Sequence, residues 1–176
     1  MQRVSFDPPP ATAAWLHREA RSGFEVVHFE DIEDGYRVEG CTAAIEGGHT
    51  WVVDYWISLD HQWVTRVVTI NSRTALGIHS SVLEADGHGR WKVDGKAAPH
   101  LTGCLDVDLE ASAFTNALPV RRLQLAVGDR APAPAACVRA LDISVERLEQ
   151  TYVHTEDDGP RLHFEYTAPI FGFPVS

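Results

Sequence analysis

The sequence predicts a mainly β protein: a strongly curved antiparallel sheet, a half-barrel or open barrel, with few short helices. Three observations carry this. After Gly23, apolar and polar residues alternate with period two over most of the chain, as strands with a buried face require. Turn dipeptides such as Asp34-Gly35, Gly47-Gly48 and Asp94-Gly95 recur at short spacing. Stretches that keep a helical period are few and short. A meander of roughly ten strands must hide its edges, and curling toward a barrel is the simplest way to do so.

The elements follow in order. Residues 1–10 end in Pro8-Pro9-Pro10 and read as an extended leader, with residues 11–176 as one β-rich domain. Ala11–Ser22 is rich in Ala, Leu, Arg and Glu and predicts a short helix anchored by Trp15. Phe24–Glu30 and Tyr36–Ile45 read as a hairpin about Asp34-Gly35. Trp51–Leu59 is apolar or aromatic at nearly every position, which predicts a strand covered on both faces. Val64–Ile70 and Ala75–Leu83 are strands separated by a turn at Asn71-Ser72, and Asp86-Gly87-His88-Gly89 is a further turn. Strands continue through Leu101–Leu109, Arg121–Val127, Cys137–Val153 and Leu162–Tyr166. Ala131–Pro134 is a connector and Glu156–Pro160 a hairpin turn. Leu141, Val145, Leu148 and Tyr152 recur at helical spacing, but the β-branched Ile143, Val145, Thr151 and Val153 favour strand.

Composition narrows the function. Fifteen basic against 25 acidic residues leave a net charge of −10. Such a field repels phosphate backbones and anionic membrane surfaces, so no nucleic-acid partner is expected. Three widely spaced cysteines exclude a disulfide framework, and nine histidines form no ligand-spaced pair, so no metal and no cofactor are expected. Charges interrupt every apolar run within ten residues or so, which leaves no integral membrane segment. No apolar signal core precedes the prolines. The expectation is a soluble, cytoplasmic protein. Its oligomeric state is not legible.

Chemistry-bearing residues concentrate in Gly103–Leu123. Strand parity puts Leu105, Val107 and Leu109 on one face and Cys104, Asp106 and Asp108 on the other. Paired with Arg121–Val127 as a hairpin, Asp106 or Asp108 meets Arg121 or Arg122 across the sheet. That is either a cross-strand ion pair or a cavity lining in which an arginine fork takes a polar ligand group. Phe114-Thr115-Asn116 would close over such a ligand, with Asn116 both donor and acceptor. Asp106 and Asp108 would lie about 6.6 Å apart along a strand, a separation that also suits an acid/base pair. No nucleophile elbow, phosphate loop or dinucleotide fingerprint is present. Cys104 sits among acidic residues, a poor setting for a reactive thiol. Trp51, Tyr55, Trp56, Trp63 and Trp91 each read first as core packing, but Trp51 and Tyr55 fall on one face of their strand and Trp56 on the other, so one face exceeds what a simple core needs and could line an apolar cavity.

Three segments carry a family resemblance: Asp86-Gly87-x-Gly89-Arg90-Trp91, Gly103-Cys104-Leu105-Asp106-Val107-Asp108-Leu109, and Phe114-Thr115-Asn116-x-Leu118-Pro119-Val120-Arg121-Arg122-Leu123. With Trp15, Gly23-x-Glu25 and Asp60-x-x-Trp63-x-x-Arg66, the chain resembles the bacterial "putative glycolipid-binding" family, first catalogued as a domain of unknown function. The resemblance implies a fold similar to bacterial lipoprotein carriers, a curved sheet around a hydrophobic cavity. It implies a glycolipid or other amphiphilic small molecule as partner, and no enzyme activity. Carried onto this chain, it makes Asp106, Asp108, Phe114, Asn116, Arg121 and Arg122 the polar rim of a ligand site, with Trp63, Arg66 and Trp91 next. The chain departs from the family pattern at Ser112-Ala113, where Thr-Pro is usual, and in Thr167–Pro174 near its end. A binding protein for an amphiphile is therefore the leading expectation. An enzyme using Asp106 and Asp108 on a small polar substrate is the alternative.

Overall fold

The computed structural model describes residues 4–18, 21–159, 161–169 and 174–175. Eight strands pair strictly in chain order as one antiparallel meander. They are β1 (Thr12–His17), β2 (Ser22–Ile32), β3 (Gly35–Glu46), β4 (His49–Asp60), β5 (Thr65–Thr74), β6 (Gly77–Ala85), β7 (Trp91–Val93) and β8 (Lys96–Ala97). The order leaves β1 and β8 as edges, so the sheet is open and no barrel closes. Among the described residues no helix is long and apolar enough to cross a membrane.

The second half is assembled differently. A 3-10 turn at Pro99–Leu101 leads into β9 (Asp106–Leu109), a second 3-10 turn at Phe114–Asn116 and the helix α1 (Ala117–Leu123). Then come β10 (Arg130–Pro132), β11 (Ala135–Val138), β12 (Val145–Leu148), β13 (Thr151–His154), β14 (Phe164–Thr167) and β15 (Pro174–Val175). They form a three-stranded sheet, β12-β11-β9, and a four-stranded sheet, β10-β13-β14-β15. Residues 170–173, part of the divergent C-terminal stretch, lie outside the described residues; β15 beyond them pairs with β14.

Several expectations are corrected, each for a physical reason. Residues 12–17 form a strand, not a helix. A helix this short with a weak apolar face is marginal alone, and six residues of ladder with β2 outweigh its propensity. Arg121–Val127 is not a strand: Arg121–Leu123 close the helix α1 (Ala117–Leu123), and residues 124–127 lie in no strand. β9 runs parallel to β11, and parallel neighbours need a crossover, which α1 supplies. Pro119 falls in the first helical turn, where its missing N–H costs nothing. Gln124 ends the helix in the left-handed conformation at φ 51°, its N–H bonded to the Val120 carbonyl. β5 runs straight through Asn71-Ser72 because the buried Ser72 hydroxyl donates to the Ala140 carbonyl at 2.6 Å. The Trp51–Leu59 stretch is covered on one face only: Trp51, Val53, Tyr55, Ile57 and Leu59 are buried, while Trp56 is exposed. Cys137–Val153 is not one strand but three, β11, β12 and β13, as far as His154.

One core joins the two halves. Val27, Val38, Val53, Tyr55, Ile57, Val68, Ile70 and Leu83 line the inner face of the meander with no solvent exposure. Leu101, Cys104, Val107, Leu109, Leu118 and Val138, equally buried, pack into the same cluster from the second half. The inner face is thus filled by the chain's own side chains. Backbone bonds stitch the halves: the Thr65 N–H donates to Leu105 O at 3.0 Å, and the Val107 N–H donates to Thr65 Oγ1 at 3.1 Å. The Gly-rich turn 86–89 is locked onto Gly103, whose N–H donates to Gly89 O at 2.8 Å. A Cβ on Gly89 would stand 2.7 Å from the Gly103 Cα, so the turn needs glycine there, while Gly103 itself sits at φ 89°, a conformation that favours glycine.

Gly40 meets the same demand inside the sheet, since a Cβ there would lie 2.0 Å from the Tyr55 ring. Gly40→Ala therefore overpacks the core and is expected to cost about 3 kcal/mol in urea denaturation, at the upper end for such changes. An unaltered midpoint would mean that the ring is free to move aside.

Candidate functional site

The site is built first by the β4–β5 loop. Asp60 Oδ1 accepts the N–H groups of Gln62 and Val64 at 2.9 and 3.0 Å, and the Trp63 N–H donates to Asp60 O at 2.9 Å. This tight wrap holds Trp63 at φ 65°, a left-handed conformation that a bulky residue adopts only when its surroundings impose it. The Trp63 ring stacks on Tyr36 with centroids 4.5 Å apart. The Arg121 guanidinium lies over the same ring at 4.6 Å. Arg66 steadies the loop through Asp60 at 3.7 Å and lies across the 86–89 turn, against Gly87.

α1 supplies the opposite wall. Arg122 forks onto Asp106, Nε to Oδ1 at 2.9 Å and Nη2 to Oδ2 at 2.6 Å, with Asp106 wholly buried. This bidentate pair fixes α1 against β9. Arg121, the preceding residue, donates through Nη1 to the Asp7 carbonyl at 3.0 Å and lies 5.5 Å from the Phe6 ring. The segment that the sequence marks as leader is thereby laid across α1, with the Val4 N–H bonded to Gln124 O at 3.4 Å.

Between these walls lies a cavity of about 580 Å³. Ser5, Phe6, Asp7, Pro8 and Pro9 cover one side; Asp31, Tyr36, His61, Gln62 and Trp63 come from the meander; Arg121, Arg122 and Gln124 complete it. Burial lowers the Arg121 pKa from its ordinary value, while nearby Tyr36 and Asp7 pull the other way.

Of the residues nominated from sequence, the fold brings Trp63, Arg121 and Arg122 together here. The others are placed elsewhere. Asp106 stands behind Arg122 as its counter-ion. Asp108 accepts from Thr115 Oγ1 at 3.3 Å, and burial pushes its pKa to about 6. Phe114 is buried in the core between Trp15 and Phe29, at centroid distances of 6.3 and 5.0 Å. Asn116 is exposed and accepts from Tyr152 Oη at 3.1 Å. Trp91 is buried, its Nε1–H donating to Cys104 O at 2.8 Å. Neither aspartate lines the cavity, so the acid/base alternative gains no cleft from it.

Sequence reasoning missed Tyr36, Asp31, Gln62 and Gln124. Each sits at a turn or strand end, and no local pattern announces that four distant segments converge. It also passed over a buried polar network beside Phe114. Glu25, with no solvent exposure, accepts from Tyr55 Oη at 2.6 Å and from the Ala113 N–H at 2.8 Å, and Tyr55 Oη meets Ser112 Oγ at 3.2 Å. Parity could have found it, because Glu25 shares its strand face with the inward Val27. By accepting the Ala113 N–H, Glu25 holds the loop at residues 112–113 in place.

Two measurements check the charge assignments. Arg122→Ala strands Asp106 as a buried unpaired carboxylate and should cost about 3–5 kcal/mol in denaturant unfolding, whereas Arg122→Met with Asp106→Leu should recover most of it. For Asp108, a folded pKa of about 6 against an ordinary 3.8 means the folded state binds more protons between those values. Its contribution to stability therefore falls as pH rises from about 4 and levels off above about 6–7. Asp108→Asn should gain about 1–3 kcal/mol at pH 7 and nothing at pH 4. An equal gain at both pH values would refute the shift.

The chain is similar to a DUF1089 family protein from Pseudomonas aeruginosa whose crystal structure is known, at 27% identity and a TM-score of 0.71, covering 95% of this chain and 85% of that one. A search among curated proteins gives no match. Residues 12–173 match the family described as "putative glycolipid-binding". That match spans the meander, the Asp106–Arg122 clamp and most of the cavity wall, and the chain belongs to this family.

Proposed function

We propose that the protein binds the saccharide head of a glycolipid-like amphiphile in the cavity between the β4–β5 loop, α1 and the N-terminal segment. The observation that carries this is the division of space. The inner face of the meander is filled by core side chains, whereas the cavity of about 580 Å³ is of a size that holds a small ligand. Its walls mix carboxylate, amide, imidazole and guanidinium groups around the Tyr36–Trp63 stack, a lining suited to hydroxyl-rich groups and unsuited to an acyl chain. The sugar then lies inside, with the tail at the rim near Pro8 and Pro9. The family description supports a binding role in the same sense.

The site is also assembled ahead of any ligand. The strained Trp63 backbone, its two ring partners and the Asp106–Arg122 clamp hold both walls in place, which reduces the ordering cost of binding.

Native mass spectrometry of the purified protein is expected to reveal a saccharide-bearing lipid, and calorimetry with octyl glucoside below its micellar concentration to give saturable binding. Gln62→Trp, at an exposed loop position, should fill part of the cavity and weaken that binding at least about tenfold with little change in Tm. Binding untouched by Gln62→Trp would move the site elsewhere. No binding across a broad panel of neutral and charged glycolipids would end the reading.

A further inference from the structure

The arginines among the described residues follow a rule with one exception. Among the described residues, Arg21, Arg37, Arg66, Arg73, Arg90, Arg122, Arg139 and Arg147 each have a carboxylate within 4.0 Å. Arg18, Arg130 and Arg161 lack one but are exposed to water. Arg121 alone is half-buried with no carboxylate in range. Its contacts are two aromatic faces and one backbone carbonyl: Trp63, Phe6 and Asp7 O. Nε and Nη2 have no protein partner among the described residues, and the side chain lines the cavity.

A half-buried guanidinium remains charged, because it does not release its proton at accessible pH. Holding it partly out of water with no carboxylate in ion-pair range is costly, and the more distant Asp7 charge offsets this only in part. Scarcity of acids is no explanation in a chain with 25 acidic residues and a net charge of −10. The neighbouring Arg122 is fully compensated by Asp106 and contributes no net charge to the cavity. We infer that Arg121 is the recognition group for a single oxyanion, a phosphate or a carboxylate, carried by the sugar head that the cavity takes. This rests on the proposed function and names its ligand class: an anionic saccharide, not a neutral one.

The remaining wall sharpens the class. Asp7 and Asp31 also line the cavity, are exposed, and lie outside ion-pair range of Arg121. Their carboxylates and the amides of Gln62 and Gln124 suit sugar hydroxyls. They oppose a bare anion that brings no hydroxyl to satisfy them. The Arg121 fork, within 5.5 Å of the Phe6 ring and 4.6 Å of the Trp63 ring, has its Nε and Nη2 edge open to two oxygens at once. A phosphorylated or uronic sugar uses both halves of the wall; inorganic phosphate uses one and is repelled by the other.

The test is calorimetry on the full chain at low salt with glucose, glucuronate, glucose 6-phosphate and inorganic phosphate. Co-sedimentation with phosphatidylcholine vesicles, with and without phosphatidylinositol, accompanies it. Glucuronate or glucose 6-phosphate should bind at least about tenfold tighter than glucose and tighter than inorganic phosphate, with the gap narrowing as salt rises. Arg121→Gln should erase the gap, and Arg121→Lys, which keeps the charge without the fork, should keep part of it. The lysine variant preserves a cation over Trp63 and so guards against a mere folding defect. Affinity for the soluble anions assigns a free sugar acid or phosphate as the source; Arg121-dependent binding only to vesicles containing phosphatidylinositol assigns a lipid head. Equal affinity for glucose and the charged sugars, or an Arg121→Gln variant that still prefers them, overturns the inference while leaving the saccharide site standing. Absence of any binding overturns both.

Discussion

The fork between Arg122 and Asp106 is the contact on which the functional half of the molecule depends. It joins α1 to β9 with two short charge-assisted bonds in a place where water does not compete. Burial raises the Asp106 pKa and Arg122 pulls it back, so the pair is tense: stable while intact and expensive when broken. Because α1 is pinned there, the adjacent Arg121 is presented to Trp63 on the loop of another sheet. One residue of the doublet is tied into the architecture, and its neighbour is left lining the cavity.

The same clamp belongs to a larger rearrangement of space. A meander of long strands offers one continuous apolar face, and something must cover it. Here the chain covers it with its own second half, through Leu101, Val107, Leu109, Leu118 and Val138. Apolar burial at about 25 cal/mol per Å² makes that filling the main source of cohesion between the halves. It also removes the interior as a place for a lipid tail. The cavity of about 580 Å³ lies instead at the sheet's end, where turns, a helix terminus and the N-terminal segment meet and where polar groups have access to water.

Local strain and buried polar groups cluster around that end and beside it. Asp60 imposes the left-handed Trp63, and Glu25 gathers Tyr55, Ser112 and the Ala113 N–H behind the Phe114 loop. Both carboxylates act on backbone N–H groups that would otherwise lack partners, which is the strongest use of a carboxylate short of an ion pair. Their effect is to fix loops. Loops fixed in this way can present side chains at reproducible positions without ligand.

The sequence by itself determined what depends on neighbours along the chain. Period-two alternation made the meander legible, the Asp-Gly and Gly-Gly steps placed most hairpin turns, and the dense motif from Gly103 to Leu123 marked the segment that carries the clamp. The resemblance carried by that motif led to the right family. Parity on β9 correctly set Val107 and Leu109 toward the core with the aspartates opposite. Only the tertiary structure decided the rest, because the deciding contacts cross long stretches of chain. Residues 12–17 became a strand through pairing with β2, and 117–123 became a helix because β9 and β11 lie parallel. Spacing left open whether the aspartates and arginines serve one another or a ligand. Folding split them: Asp106 is sealed with Arg122 because two opposite charges brought into the same dry place must pair, whereas Arg121, one residue earlier on the helix, lines the cavity with two aromatic rings and a backbone carbonyl but no carboxylate in ion-pair range.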